Sequence, residues 1–365
     1  MSESDTAGAA PDEVVTTTPS MTLNRRKSII AGIIAVVFLA IVFAKVIPQI
    51  GSYSEAITSL QHMNGTDLMW LIAAVLLYLA LYGLPFMASV PGLSYPNSQI
   101  VNQSAFTVSN GVPGGGALGL GLQYAELTSY KVTPTAATAG ITATGVWSTF
   151  LTCALPVMGV IALVIDGGAS GNYTKTAVIG LAILIAMIVV FGLILRSEEL
   201  ARKVGDFVDR VTNAVIHRFK PGPSVHLSDS IVRLRTDIVD LVRRRWAAIT
   251  GAQLAVSLSS FLILLVAFRG VETGSHISGW SVFAAFAIAQ LGLMVPITPG
   301  GLGTVDAVMI SLLISFGAST GDATAADLLW RAVSYVPQII IGLICIFYWR
   351  VQVRRMHKKE GLNAA

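Results

Sequence analysis

This chain predicts an all-α polytopic membrane protein. Its hydropathy, the placement of its basic residues and a pair of broken apolar segments predict it. Of 365 residues, 54% are hydrophobic and 12% charged, with mean hydropathy +0.71. Soluble domains carry about 25% charged residues, so this chain is built for a different solvent. Several segments reach the roughly 20 apolar residues that cross a bilayer. Of the 24 Lys and Arg, three fall in Arg25–Lys27, eleven between Arg196 and Arg245, and five between Arg350 and Lys359. The positive-inside rule makes those three regions cytoplasmic, so both termini are expected in the cytoplasm. About six full spans and two broken hairpins result.

Residues 1–24 are polar and rich in small residues, which predicts a disordered cytoplasmic tail. Arg25–Lys27 precede the apolar run Ile29–Ile47, read as an uncleaved first span with Lys45 reaching the outer interface. Pro48–Asp67 is an external loop, and Leu68–Val90 returns inward. Gln99–Tyr130 follows, broken at Pro113-Gly114-Gly115-Gly116. Its arms of about 14 residues would measure roughly 21 Å as helix, against a hydrocarbon core of about 30 Å. Two half-depth arms of a re-entrant hairpin fit that length better than two spans.

Pro134–Ile165 runs outward, with a kink expected at Pro156, and Thr176–Leu195 returns. The stretch 196–245 reads as a cytoplasmic amphipathic helical hairpin broken at Pro221-Gly222-Pro223, too small for a catalytic domain. Trp246–Phe268 goes out. Trp280–Val295 leads to a second break, PITPGGLGTVDA, between Pro296 and Ala307, and Leu302–Phe316 follows it. Ala325–Trp349 is the last span, and 350–365 is a basic tail. The first membrane half is thus 25–195 and the second 246–349.

Pro113-Gly114-Gly115 aligns with Pro299-Gly300-Gly301 at an offset of 186 residues. Each break lies between two spans, and the assigned orientations are opposite. Inverted repeats joined at broken helices form transporter architectures, with the site near the midplane. Backbone opened inside a membrane must face protein or a wet cavity, so the breaks at 111–121 and 296–303 mark the candidate site.

A helix restarting after Gly301 would offer free N–H groups and a positive dipole end to an anion. Gly300, Gly301, Gly303 and Thr304 belong to that tip. Asp306 is either a dipole partner or a functional carboxylate. Arg331, within the last span, is either a lipid-headgroup or gating residue or half of a structural ion pair with Asp306, Asp327 or Glu126. Gly114, Gly115, Tyr124 and Glu126 are the matching candidates of the first hairpin. Cys153 and Cys345 read as packing thiols.

Enzymatic function is not expected. The five histidines are scattered, and there is no HExxH, nucleophile elbow, P-loop or metal-spaced cysteine pair. No cofactor or metal is expected. The basic regions suit orientation and anionic lipid rather than nucleic acid.

PITPGGLGTVDA followed by LLWRAVSYVPQIIIG resembles the second-half signature of the lysylphosphatidylglycerol synthase transmembrane-region family. By that match Pro299, Gly300, Gly301, Gly303, Arg331, Tyr335, Pro337 and Gly342 carry over, with Asp306 where the family usually has Glu. VPGGGALG is similar to the actinobacterial, flippase-like branch, but lacks the Arg and acidic residue that many relatives carry after the first-half proline. The resemblance implies a bacterial inner-membrane protein. In the multiple peptide resistance factors this region flips aminoacylated phosphatidylglycerol made by a fused synthase domain. No counterpart of that domain is expected in this chain, so the synthase activity is not implied. The expected function is a stand-alone translocase for an anionic phospholipid, glycolipid or polyprenyl-phosphate-linked lipid. The alternative is a non-catalytic partner of a cell-envelope glycosyltransferase or lipid-synthesis complex. Membrane lipids with anionic headgroups are the expected partners, and a homo-oligomer or an envelope-enzyme partner stays open.

Overall fold

The computed structural model describes residues 61, 63–111, 115–167, 228–272, 276–294 and 299–363, with isolated positions between 182 and 199. The expected tail 1–24, the spans 29–47 and 176–195, most of the cytoplasmic hairpin, and Val112, Pro113 and Gly114 lie outside the described residues. Those described are helical, with no strand among them. Four helical stretches are long and apolar enough to cross a membrane: Gly65–Ser89, Pro134–Ile165, Ile238–Val271 and Thr320–Arg355. Large apolar side chains such as Trp70, Leu76, Ile161, Ile344 and Phe347 stand exposed on them, which suits a lipid solvent and not water.

Helix α1 (Gly65–Leu81) and the short α2 (Leu84–Ser89) divide the expected span 68–90. The break follows from Pro85, which lacks a backbone donor and crowds the preceding turn. The carbonyls it frees are collected by the first turns of α3 (Tyr95–Gly111). Tyr95 Oη donates to Ala80 O at 2.6 Å, Gln99 Nε2 to Leu79 O at 2.9 Å, Asn102 Nδ2 to Tyr82 O and Ser98 Oγ to Gly83 O. The polar residues of this arm thus keep a bent helix satisfied inside an apolar solvent.

Helix α3 and α4 (Gly115–Ser129) form the first hairpin, and α5 (Pro134–Ile165) follows. The helix continues past Pro156, which itself has no N–H to donate. Helix α6 (Ser228–Val271) is continuous across the expected boundary at 245/246, so the second amphipathic stretch and the span after it are one helix. The second hairpin is α7 (Gly279–Ala289), two 3-10 turns (Gln290–Met294 and Pro299–Gly301) and α8 (Thr304–Ser315). Helix α9 (Thr320–Asn363) carries the last span without interruption into the basic tail.

The repeat holds its offset of 186 through the returning arm of each hairpin. Ser129 and Ser315 end α4 and α8, and Pro134 and Thr320 begin α5 and α9. Between them lie matching caps. Lys131 (φ 64°) and Gly317 (φ 108°) are left-handed; Val132 N–H bonds to Leu127 O, and Ala318 N–H to Leu313 O, in the same six-residue closure. Thr133 Oγ1 accepts from Ala136 N–H, as Ser319 Oγ does from Asp322 N–H.

Packing is exchanged between the halves. Helix α3 of the first hairpin packs antiparallel to α9, the span closing the second half, and α7 of the second packs antiparallel to α5, which closes the first. Glycines on the closing spans admit these contacts. A Cβ on Gly342 would collide with Thr107, and one on Gly159 would stand 3.0 Å from Ala287 Cβ. Small residues serve this purpose in membranes, where no hydrophobic force draws helices together. Helices α1 and α6, which precede the hairpins, pack together with Met63 beside Gly270, while Tyr82 and Val256 line common space. They therefore run antiparallel, so the two units are inverted relative to each other.

Candidate functional site

The end of α3, beside the first break, meets the second break inside the molecule. Gly300 is left-handed (φ 63°) and so close to the first hairpin that a Cβ would stand 2.6 Å from Asn110 Oδ1 and collide with the Tyr335 hydroxyl. Tyr335 lies fifteen residues into α9, near the middle of its apolar part. The tips therefore sit deep, not at a surface.

Asp327, Arg331 and Tyr335 follow at i, i+4 and i+8 on one face of α9. Arg331 is 7% exposed and its donors are directed by the second tip. Its Nε donates to Asp306 Oδ1 at 2.5 Å, Nη1 to Tyr335 Oη at 2.8 Å and to Gly300 O at 3.3 Å, and Nη2 to Gly301 O at 3.4 Å. Tyr335 Oη donates to Gly300 O at 2.9 Å. The guanidinium carbon also lies 4.7 Å from the Trp330 ring centroid and 5.0 Å from that of Tyr335, close enough for cation–π attraction.

Asp306 has two duties. Its Oδ1 pairs with Arg331, and its Oδ2 accepts from Gly303 N–H at 2.6 Å at the start of α8. The dipole-partner and ion-pair readings of Asp306 and Arg331 therefore describe one arrangement. The expectation that free N–H groups of the tip face an anion is not what the local geometry gives. The carboxylate occupies the helix start, and the tip turns the carbonyls of Gly300 and Gly301 toward Arg331. Thr304 Oγ1 ties the tip down, donating to Gly292 O at 3.0 Å and Gly301 O at 3.1 Å. Asp327 is fully buried beside Asp306 and Arg331, with neither carboxylate oxygen in a hydrogen bond of full geometry.

Two chambers flank the tips. Chamber two, about 300 Å³, is lined by Arg331, Tyr335, Gly300, Asn110 and Trp330 among others. Chamber one, about 320 Å³, lies between α3, α4, α5 and α6 and is lined by Asn102, Gln123, Thr144, Ser148 and Gln253 among others. Tyr82, Val256, Ser257, Gln290 and Leu293 line both and so form the partition. Each has the size of a small-molecule site. Aromatic rings connect the walls in edge contacts, Tyr78 to Tyr82 at 5.6 Å, Tyr82 to Phe106 at 5.8 Å and Phe106 to Tyr335 at 5.2 Å.

The structure brings Arg331, Asp306, Gly300, Gly301, Gly303, Thr304 and Tyr335 together. It does not bring the first-hairpin candidates to them. Gly115 sits where the arms touch, a Cβ there colliding with Val108 O. Tyr124 is 40% exposed, and Glu126 is buried beside Ser104 of α3. Gly114 lies outside the described residues. Sequence reasoning missed Gln123, Gln290 and Ser257 as lining groups. Their signal was a polar residue inside an apolar run, but nothing local says which face of the helix meets a cavity.

The described residues thus form an all-α membrane protein with two broken hairpins and a buried charged centre. The sequence profile of the lysylphosphatidylglycerol synthase TM region matches residues 28–342, and the chain belongs to that family. A UPF0104 membrane protein of Methanocaldococcus jannaschii is 32% identical over 119 residues, covering 33% of this chain. The match spans about a third of that protein's length, 34%. Neither description indicates a catalytic activity.

Proposed function

We propose that the protein is a lipid translocase of the bacterial inner membrane, moving a lipid with a phosphate-bearing headgroup between leaflets. The observation that carries this reading is the meeting of Asn110, at the end of α3, with Gly300 beside Arg331, flanked by two chambers that both carry polar side chains. A charge buried at that depth is costly, and membrane-embedded opened backbone needs a cavity or protein partners. Both are understandable where headgroups pass.

The bonds of Arg331 divide into two sets. Those to Asp306 and Tyr335 are short, and those to Gly300 O and Gly301 O are long. A phosphate entering chamber two replaces the long pair and leaves the short ones holding the guanidinium in place. Bidentate guanidinium–phosphate bonding is the strongest form this contact takes. The basic residues of Arg25–Lys27, Arg196–Arg245 and Arg350–Lys359 support a cytoplasmic side for both termini.

The test uses the full chain reconstituted in vesicles whose outer leaflet carries a fluorescent anionic phospholipid. Transfer to the inner leaflet faster than in protein-free vesicles is expected. Tyr335→Phe keeps the ring and removes one anchor of Arg331, so it should slow transfer several-fold. No transfer of any phosphate-bearing lipid above protein-free vesicles would refute the reading.

A further inference from the structure

The two chambers are pseudo-equivalent, and they differ in charge. At the repeat offset of 186, Arg331 corresponds to Gly145, Trp330 to Thr144 and Ser334 to Ser148. All three pairs line the respective chambers. Asp306 corresponds to Leu120 and Asp327 to Ile141, both of which line chamber one. The whole ionic centre of the second half is thus replaced by Gly, Leu and Ile in the first. Among the described residues, no side chain that lines chamber one is charged.

What replaces the charges is hydrogen-bonding capacity without a partner. Gln123 is 9% exposed, lines chamber one, and its amide makes no hydrogen bond among the described residues. Gln290 and Ser257 on the partition are in the same state. Gln253 Nε2 donates to Thr144 O at 3.2 Å, which leaves its carbonyl oxygen free to accept. Each amide offers donors and an acceptor, and each hydroxyl does both. A buried polar group without a partner is costly, so these groups need a ligand or water. A sugar ring, whose hydroxyls also donate and accept, matches that lining. An ammonium group does not, since it only donates and finds no carboxylate where Leu120 and Ile141 stand.

We propose that chamber one receives an uncharged, hydroxyl-rich glycosyl headgroup, and that chamber one rejects cationic aminoacyl headgroups. The assignment rests on the translocase reading, with the phosphate at Arg331 and the sugar across the partition. Two lipids share the sugar, a glycosyl-phosphopolyprenol, which also carries the phosphate, and a glycosyl diacylglycerol, which does not.

The experiment uses the full chain in vesicles with three fluorescent lipids, glucosyl diacylglycerol, glucosyl-phosphopolyprenol and lysyl-phosphatidylglycerol. At least one sugar lipid should cross at least about tenfold faster than the lysyl lipid, the scale on which a hydrogen-bonding site rejects a mismatched group. The faster of the two sugar lipids identifies the source. Gln123→Leu should slow it about tenfold. Gln123→Glu introduces a carboxylate into chamber one, and it should narrow the sugar-to-lysyl ratio by admitting the lysyl lipid. Equal or faster crossing of the lysyl lipid overturns the headgroup assignment and leaves the translocase reading standing. If no lipid crosses, the translocase reading fails, and binding of the same lipids to the purified protein in detergent decides the headgroup. Selective retention of a sugar lipid, weakened by Gln123→Leu, supports it; equal or preferred retention of the lysyl lipid, or no retention, overturns it.

Discussion

At the scale of single residues, the ion pair and the left-handed caps make the sharpest claims. Arg331 faces one bonded carboxylate, Asp306, and one unbonded, Asp327. Removing the guanidinium in Arg331→Met leaves buried carboxylates uncompensated, a loss of about 3–5 kcal/mol by the measure of other buried pairs. The second change Asp306→Leu copies what Leu120 already does in the first half. The double variant should therefore recover the part of the loss in melting temperature that Asp306 causes, less about 1 kcal/mol for the capping bond to Gly303 N–H, while Asp327 stays uncompensated. Additive losses in the two single variants would argue against direct coupling. Lys131 and Gly317 hold the same left-handed position in their halves. Lys131→Gly should raise stability and Gly317→Lys should lower it, each by about 1 kcal/mol, read as opposite shifts in melting temperature. Arg331 was legible in the sequence because a charge inside an apolar run stands out. Its dependence on Asp306 was legible only as one of three options, since pairing across two helices is a fact of packing.

Elements were legible where composition changed and obscure where it did not. The two Pro-Gly breaks announced both hairpins. The division of the expected span 68–90 at Gly83 went unpredicted because Pro85 lies in unbroken apolar sequence and its remedy is remote, in the side chains of Tyr95, Gln99 and Asn102. The close crossings of the hairpin arms make a graded prediction. Gly342→Ala presses on Thr107 and the backbone at Gln103, whereas Gly159→Ala meets only Ala287 and Ala284 at 3.0–3.3 Å. The first should lower stability by about 1–3 kcal/mol and the second by less, measured side by side in one detergent. At the end of α5, the hydroxyls of Ser278 and Ser281 hold the Asp166 carboxyl below its usual range. Its folded pKa is thus below its unfolded value of about 3.9. Its contribution is fully present above that value and is lost as pH falls through the folded pKa. Asp166→Asn should therefore lower the melting temperature at pH 7, and the gap to the parent chain should shrink below about pH 4.

For the whole molecule, the repeat matters more than any span. An offset of 186 aligned two short motifs in the sequence; in the structure it also carries the helix ends, the left-handed caps and the chamber walls. It was readable because turns and caps depend on local residue chemistry, whereas the exchanged packing of α3 on α9 and α7 on α5 depends on contacts far apart in sequence. The inversion has a consequence that can be measured without knowing any substrate. His276 lies in the turn leading into the second hairpin, with its side chain 75% exposed, and Lys131 closes the first hairpin. Because α1 and α6 run antiparallel, these turns belong to opposite ends of the molecule. In the proposed orientation the Lys131 end faces the cytoplasm. With Cys153 and Cys345 replaced by Ala, a cysteine at His276 should react with a membrane-impermeant maleimide on intact cells. A cysteine at Lys131 should react only after the membrane is opened. The reverse pattern would keep the inversion but turn the protein over, placing chamber one toward the outer leaflet. Labelling of both from one side would break the inverted arrangement itself, and with it the equivalence between Gly145 and Arg331 on which the division of the headgroup between two chambers depends.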